Sequence, residues 1–193
     1  PNVFILSDEI YSRILFDGHE HSSLLTFPEV RDRVIVLDGW SKTYSMTGWR
    51  LGYGIFPKSI FKYAEKLAIN CHSCISIPTQ LAGIEALNGS QDSVNKMIQE
   101  FQERRNFLVN ELNKIKDVSC VSPGGAFYVF PKINKKNQKS TDISNFLLEK
   151  MFIATVPGSS FGKNGEGFLR ISYASKLENL KKFINLLNQY MNE

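Results

Sequence analysis

Residues 39–54 read GWSKTYSMTGWRLGYG and follow the apolar run Val34-Ile35-Val36-Leu37. A short continuous run rich in β-branched residues is the pattern of a strand covered on both faces in a parallel sheet. Lys42 then stands just past the end of a buried strand, among hydroxyls and glycines, with Arg50 eight positions on. An ordinary surface lysine needs none of this company. A lysine that attacks a carbonyl needs a partly desolvated pocket and neighbours that set its charge.

Val3-Phe4-Ile5-Leu6 carries the same pattern and runs into SDEIY, residues 7–11. In open α/β sheets ligands bind beyond the carboxyl ends of the strands, where loops and helix termini converge. The two runs deliver Asp8 and Lys42 to that edge. A carboxylate (Asp8), a phenol (Tyr11), a hydroxyl (Ser41) and an amine (Lys42) are thereby expected in one crevice. Read singly, each has a plainer alternative: Asp8 as a helix N-cap, Tyr11 as a half-buried aromatic, Arg50 as a strand-end partner in a surface ion pair.

Further along, a third strand is expected around 51–56, closed by Pro57, and a helix over 57–69 with proline near its first turn. Another helix is expected over 77–89, stopped by Asn88-Gly89. Residues 90–116 form the longest helical pattern, with Val94, Met97, Ile98, Phe101, Phe107, Leu108 and Leu112 on or near one face. A helix of that length can bridge two domains. Beyond it, short strands in VSCVSP, AFYVFPKI, FIATVPG and GFLRISYA alternate with helices at about 141–151 and 176–192, the texture of an α+β domain.

The 193 residues are 42% hydrophobic and 22% charged, ordinary for one domain or two small ones. A net charge of +4 is modest, and the lysines of KINKKNQKS (132–140) are expected in a solvated loop, because no aromatic interleaves with them as in a nucleic-acid contact. No apolar stretch approaches the roughly 18 to 20 residues that span a bilayer. There is no signal-peptide pattern, so a cytoplasmic location is expected, with no nucleic-acid or membrane partner. Cys71, Cys74 and Cys120 make an odd count, which fits a reducing compartment. Cys71 and Cys74 enclose His72 at C-x-x-C spacing. Without a second such pair the plainer reading is small residues in a tight turn, and no metal site is expected. The chain opens on Pro1 and enters a strand pattern at once, as expected of a cut inside a fold.

As a set and in this order, SDEIY (7–11), SKTYSMTGWRLGYG (41–54), SPGGAFYVFP (122–131), VPGSSFG (156–162) and GFLRISYA (167–174) resemble the aspartate-aminotransferase type of pyridoxal-phosphate enzyme, class I/II and fold type I. The resemblance covers essentially the whole chain, but only the C-terminal half of a typical member. It implies that residues 1–95 are the C-terminal part of a large, mostly parallel-sheet cofactor domain. Residues 96–193 would then be a linking helix and a small α+β domain.

Carried over by position, the resemblance makes Lys42 the lysine that holds pyridoxal phosphate and shuttles the substrate's proton. Asp8 pairs with the ring nitrogen and keeps it protonated. Tyr11 hydrogen-bonds the ring oxygen, and Ser41 and Arg50 hold the phosphate. Gly39 departs from many relatives, where a further phosphate-binding hydroxyl can stand. Arg170 matches the arginine that grips the substrate α-carboxylate, its alternative being an arginine on an exposed strand face. PGGAFY (123–128) resembles a small-residue turn at the substrate. His72 and Ser73 match only loosely a loop that reaches a neighbouring subunit's cofactor.

The implied activity is ping-pong transfer of an amino group between an amino acid and a 2-oxo acid by a homodimer. The 193 residues alone are expected to be inactive. A C–S lyase or synthase of the same fold, or a ligand-sensing domain of a transcription regulator, is the alternative.

Overall fold

The computed structural model describes residues 3–192. The chain divides into two compact units between Lys96 and Met97.

In the first unit, β1 (Ile5–Asp8), β2 (Val34–Gly39) and β3 (Gly52–Ile55) form a sheet in the order β1-β2-β3. β1 runs parallel to β2, with Asp8 opposite Leu37; β3 runs antiparallel to β2, with Gly52 opposite Gly39. The first strand sits two residues later than the run Val3–Leu6 suggests, so Asp8 is its last residue rather than a step beyond it. Val34 and Val36 are buried, whereas Leu6 is 61% exposed. An apolar run marks a strand that can be covered on both faces; the cover itself must come from other elements.

A single turn, α1 (Trp40–Thr43), follows β2 directly. The chain then returns through a 3-10 turn at Thr47–Trp49 into β3. Two helices come next: α2 (Lys58–His72), entered from Pro57, and α3 (Ile77–Asn88), with proline in its first turn. Cys71 lies in the last turn of α2 and Ser73 caps it at φ 59°, so the C-x-x-C spacing straddles a helix end. Both cysteines are exposed and free, and no cluster of potential metal ligands occurs among the described residues.

α4 (Asp92–Leu112) opens in the first unit and ends in the second. It stops a turn before the pattern 90–116 suggests, and Asn113 supplies the reason. Its amide nitrogen donates to the Val109 and Cys120 carbonyls, and its oxygen accepts from the Cys120 N–H at 2.9 Å. One side chain thus satisfies a helix-end carbonyl and folds the chain back, as a C-terminal cap does.

The second unit continues with β4 (Val118–Ser119), β5 (Tyr128–Val129), β6 (Lys132–Ile133), α5 (Ser140–Met151), β7 (Val156–Pro157), β8 (Leu169–Ser172) and α6 (Leu177–Asn192). β4 pairs with β6, and β8 lies between β5 and β7, all antiparallel. Leu180, Phe183, Ile184, Leu187 and Tyr190 recur at helical spacing on α6 and are all buried. Leu108, Leu112, Leu147, Tyr173 and Leu187 are fully buried. Among the described residues no helix is long and apolar enough to cross a membrane.

Candidate active site

Strand register gathers the predicted groups of the first unit. The parallel pairing of β1 with β2 brings Asp8 and the end of β2 to one sheet edge. Antiparallel pairing brings the start of β3 to the same edge, so Ser41 and Arg50 each stand two residues beyond the Gly39/Gly52 pair. Ser41 and Lys42 lie on α1 and are half-buried; Asp8 is exposed. A helix turn set on a strand end fixes where its side chains leave the backbone, and Trp40 fastens this one. Its indole N–H donates to the Gly83 carbonyl at 3.0 Å, and its backbone N–H to the Leu51 carbonyl at 3.2 Å.

Asp8 is not a helix cap. Its Oδ1 accepts the Ile10 N–H at 3.3 Å, and residues 10–13 form turns that carry half-buried Tyr11. This is an Asx turn at a strand end. Arg50 is not in an ion pair among the described residues. Its Nη1 donates to the Thr47 carbonyl at 2.9 Å, and its backbone is left-handed at φ 55° and ψ 45°. Such a conformation is costly for an arginine and is typically kept where a site needs the direction it gives.

Gly39 also has a local explanation. A Cβ there would lie 2.9 Å from the Gly52 Cα and 2.9 Å from the Leu51 oxygen. The two strands approach too closely for any side chain, so this chain has no room for a hydroxyl at that position.

Next to Asp8, the buried Glu9 organises the loop that follows β1. Its carboxylate takes His21 Nε2 at 2.8 Å, Ser23 Oγ at 3.0 Å, Ser7 Oγ at 3.1 Å and the Leu24 N–H at 3.4 Å. Burial pushes its pKa up, but these hydrogen bonds outweigh it and hold the carboxyl below its ordinary 4.5. Sequence reading missed this clasp, because a lone glutamate and the polar stretch HEHSS have no periodicity that joins them. On β2, Asp38 accepts from Ser12 Oγ at 3.1 Å and from Tyr53 OH at 3.4 Å, which closes the edge from the other side.

The second unit holds Arg170 on β8, half-buried between buried Leu169 and Ile171. Its guanidinium lies 4.6 Å from the Tyr128 ring and 4.9 Å from the Phe161 ring. The PGGAFY turn leads into β5, which pairs with β8, and is held by two buried side chains. Arg105 Nη1 donates to the Pro123 carbonyl at 2.9 Å, and Tyr173 OH to the Ala126 carbonyl at 3.0 Å. Ala126 has φ 61°, so this turn is more constrained than its small residues suggest.

A cavity of about 590 Å³ in the first unit is lined by Leu25, Arg31, Val34, Phe56 and Lys58, among others, and by none of the predicted site residues. Register, rather than cavity volume, brings the candidate groups together.

A sequence model of the family described as aminotransferase class I and II matches residues 1–187. The chain belongs to this family. It is 36% identical over 190 residues to an aspartate aminotransferase of Pyrococcus horikoshii, covering 97% of this chain and 48% of that protein. Among solved structures it superposes on the aspartate aminotransferase of Rhizobium meliloti with a TM-score of 0.91 and 35% identity, covering all of this chain and 50% of that one. The aromatic aminotransferase of P. horikoshii OT3 gives a TM-score of 0.92 and 34% identity, over 98% of this chain and 51% of that one. The chain therefore spans about half the length of the curated relatives it matches, and its α/β fold is that of fold type I aminotransferases.

Family members use pyridoxal phosphate. The donor set suits that molecule: an amine for the aldehyde carbon, a carboxylate for the ring nitrogen, a phenol for the ring oxygen, and a hydroxyl and a guanidinium for the phosphate.

Proposed function

We propose that the whole protein is an aminotransferase that moves an amino group from an amino acid to a 2-oxo acid in two stages, by a ping-pong route. The observation that carries this reading is the strand register that puts Asp8, Ser41, Lys42 and Arg50 on one sheet edge. Bound pyridoxal phosphate supplies an electron sink for the bond that breaks at the substrate's Cα.

The chain's own residues then divide the work. Lys42 Nζ would hold the cofactor, and as a base it would carry the substrate's proton away from Cα and back. Asp8 would offer its carboxylate to the ring nitrogen, where a nearby acceptor favours a proton. Tyr11 would donate to the ring oxygen, and Ser41 and Arg50 would hold the phosphate end. Arg170 takes the substrate's α-carboxylate in a bidentate pair, which orients the Cα–H bond.

In this reading residues 1–95 belong to the cofactor domain, and 96–193 comprise the linking helix and the small domain. The protein works as a cytoplasmic homodimer. Support for the dimer is the apolar surface of α2 and α3, where Tyr63, Leu67, Ile77 and Leu81 are all more than 60% exposed. Because that surface is uncovered and the chain spans about half of its relatives, the 193 residues alone are not expected to turn over.

Stage-by-stage product analysis tests the function. The protein loaded with pyridoxal phosphate is given a panel headed by aspartate and the aromatic amino acids, freed of the first substrate, and then given a 2-oxo acid. Stoichiometric 2-oxo acid in the first stage and a new amino acid in the second are expected. Release of a thiol, ammonia and pyruvate from a cysteine thioether included in the panel would instead assign a C–S lyase.

A further inference from the structure

We propose that Tyr128 and Phe161 are positioning residues for Arg170: together they hold its guanidinium plane so that its N–H edge accepts a carboxylate. The proposal deepens the functional reading above and rests on Arg170 as the carboxylate ligand.

Three observations support it. Both rings lie within 5 Å of the guanidinium carbon, at 4.6 and 4.9 Å. Among the described residues no atom accepts a hydrogen bond from that guanidinium, and it has no ion-pair partner. A half-buried arginine with aromatic rings against it and unspent donors is built to meet an anion from outside. The third observation is that each ring is itself held in place.

Tyr128 lies opposite Ser172 in the β5/β8 ladder, so Arg170 is its diagonal neighbour on the same face. Phe161 ends the 3-10 turn that follows β7, whose Val156 is in register with Arg170. That turn is pinned where Gly158 N–H donates to the Phe168 carbonyl at 2.7 Å. A Cβ on Gly158 would run into the Gly165 carbonyl, so only glycine lets the turn pack this closely. Behind Phe161 stands Phe130, edge-on at 5.8 Å and 88°, itself stacked on Phe168 at 5.0 Å and 7°. Phe161 is itself 52% exposed, and the Phe130 ring limits its swing from behind.

The physical consequence is pre-organisation. A free arginine has many rotamers, and ordering it costs binding energy that the rings have already supplied. Rings against the guanidinium also displace water there and leave the in-plane N–H groups as the route to a ligand. A planar carboxylate fits that edge bidentately, whereas a carboxamide offers one acceptor and no charge.

The test uses the full chain loaded with pyridoxal phosphate and propionate as the probe, with propionamide as the neutral control, both followed by calorimetry. Phe161→Leu and Tyr128→Leu are each expected to weaken propionate about three- to thirtyfold, the range of a partly desolvated cation–π contact. Tyr128→Phe, which keeps the ring, should stay within about twofold of the unmodified protein. Propionamide binding and the thermal midpoint should not move.

Arg170→Ala separates the two layers. If it abolishes the preference for propionate while both leucine variants bind like the unmodified protein, the aromatic bracket is idle and the proposal falls, with the reading of Arg170 intact. If Arg170→Ala leaves propionate binding unchanged, the reading of Arg170 fails and the proposal with it. A second measurement needs no variant to fold. In the unmodified chain the Arg170 Nε–H proton should resonate clearly upfield of the other arginines from ring-current shielding; a resonance at the free-arginine position overturns the proposal.

Discussion

Helix α2 in the first unit and helix α6 in the second differ in what they cover. α6 buries five side chains, and α5 buries Ile143 and Leu147. α2 buries none, although it carries Phe61, Tyr63, Leu67 and Ile69, each at least 49% exposed. Every residue of β3 is exposed as well, while Leu169 and Ile171 of β8 are not. The second unit closes a core from its own residues. The first holds the candidate residues on a sheet that is covered only in part, with Val34 and Val36 buried but Leu6 and all of β3 exposed, so its order depends more on local polar clasps such as Glu9 and on close backbone approach such as Gly39 against Gly52.

That contrast predicts a ranking of substitution effects. The largest belongs to the closed core: Leu147→Ala, at a fully buried position, should cost about 2 to 5 kcal/mol in chemical denaturation. A loss below about 1 kcal/mol would mean that the second unit is not close-packed there. Gly39→Ser comes next, at about 1 to 3 kcal/mol, because the added Cβ must push β2 and β3 apart. It should also weaken pyridoxal phosphate binding, measured by equilibrium dialysis, since α1 follows Gly39 directly.

A smaller effect is expected at Glu9, and it depends on pH. The folded protein holds this carboxyl below 4.5, so its contribution is complete above that value and is lost as pH falls through the lower folded value. Glu9→Gln should therefore lower stability by about 0.5 to 1.5 kcal/mol at neutral pH and converge with the unmodified protein on acidification. A difference independent of pH would show that the Glu9 charge plays no role. The smallest effect is at Leu67, 64% exposed: Leu67→Ser should fall within about 0.5 kcal/mol while reducing self-association in sedimentation.

Much of the element order was legible in the sequence, for reasons that can be located. The runs Val34–Leu37 and Val3–Leu6 mark strands by β-branched density, and the spacing of Leu180, Phe183, Ile184 and Leu187 marks the face of α6. Asn88-Gly89 and Pro57 mark helix ends by backbone chemistry, within a residue or two of where the helices stop and start. The order of short segments around Lys42, Asp8 and Arg170 placed the candidate site in one family. Sequence reading could not see interactions that join positions with no periodic relation. The Glu9–His21 clasp spans 12 residues of loop, and Phe161 reaches Arg170 from a 3-10 turn. The early end of α4 turned on one side chain, Asn113, whose paired hydrogen bonds to the Cys120 backbone have no local signature. Likewise, an apolar run cannot say whether its second face will be covered, and Leu6 is not.

Lys42 is the residue on which the assignment of the site depends most. The measurement that tests it directly is borohydride reduction of the protein loaded with pyridoxal phosphate, followed by peptide mapping. A single pyridoxyl group on the peptide carrying Lys42, absent from a Lys42→Ala variant, is the predicted result. A pyridoxyl group on another lysine with Lys42 unmodified would contradict the assignment, and with it the claim that the edge formed by β1, β2 and β3 is where the cofactor is held.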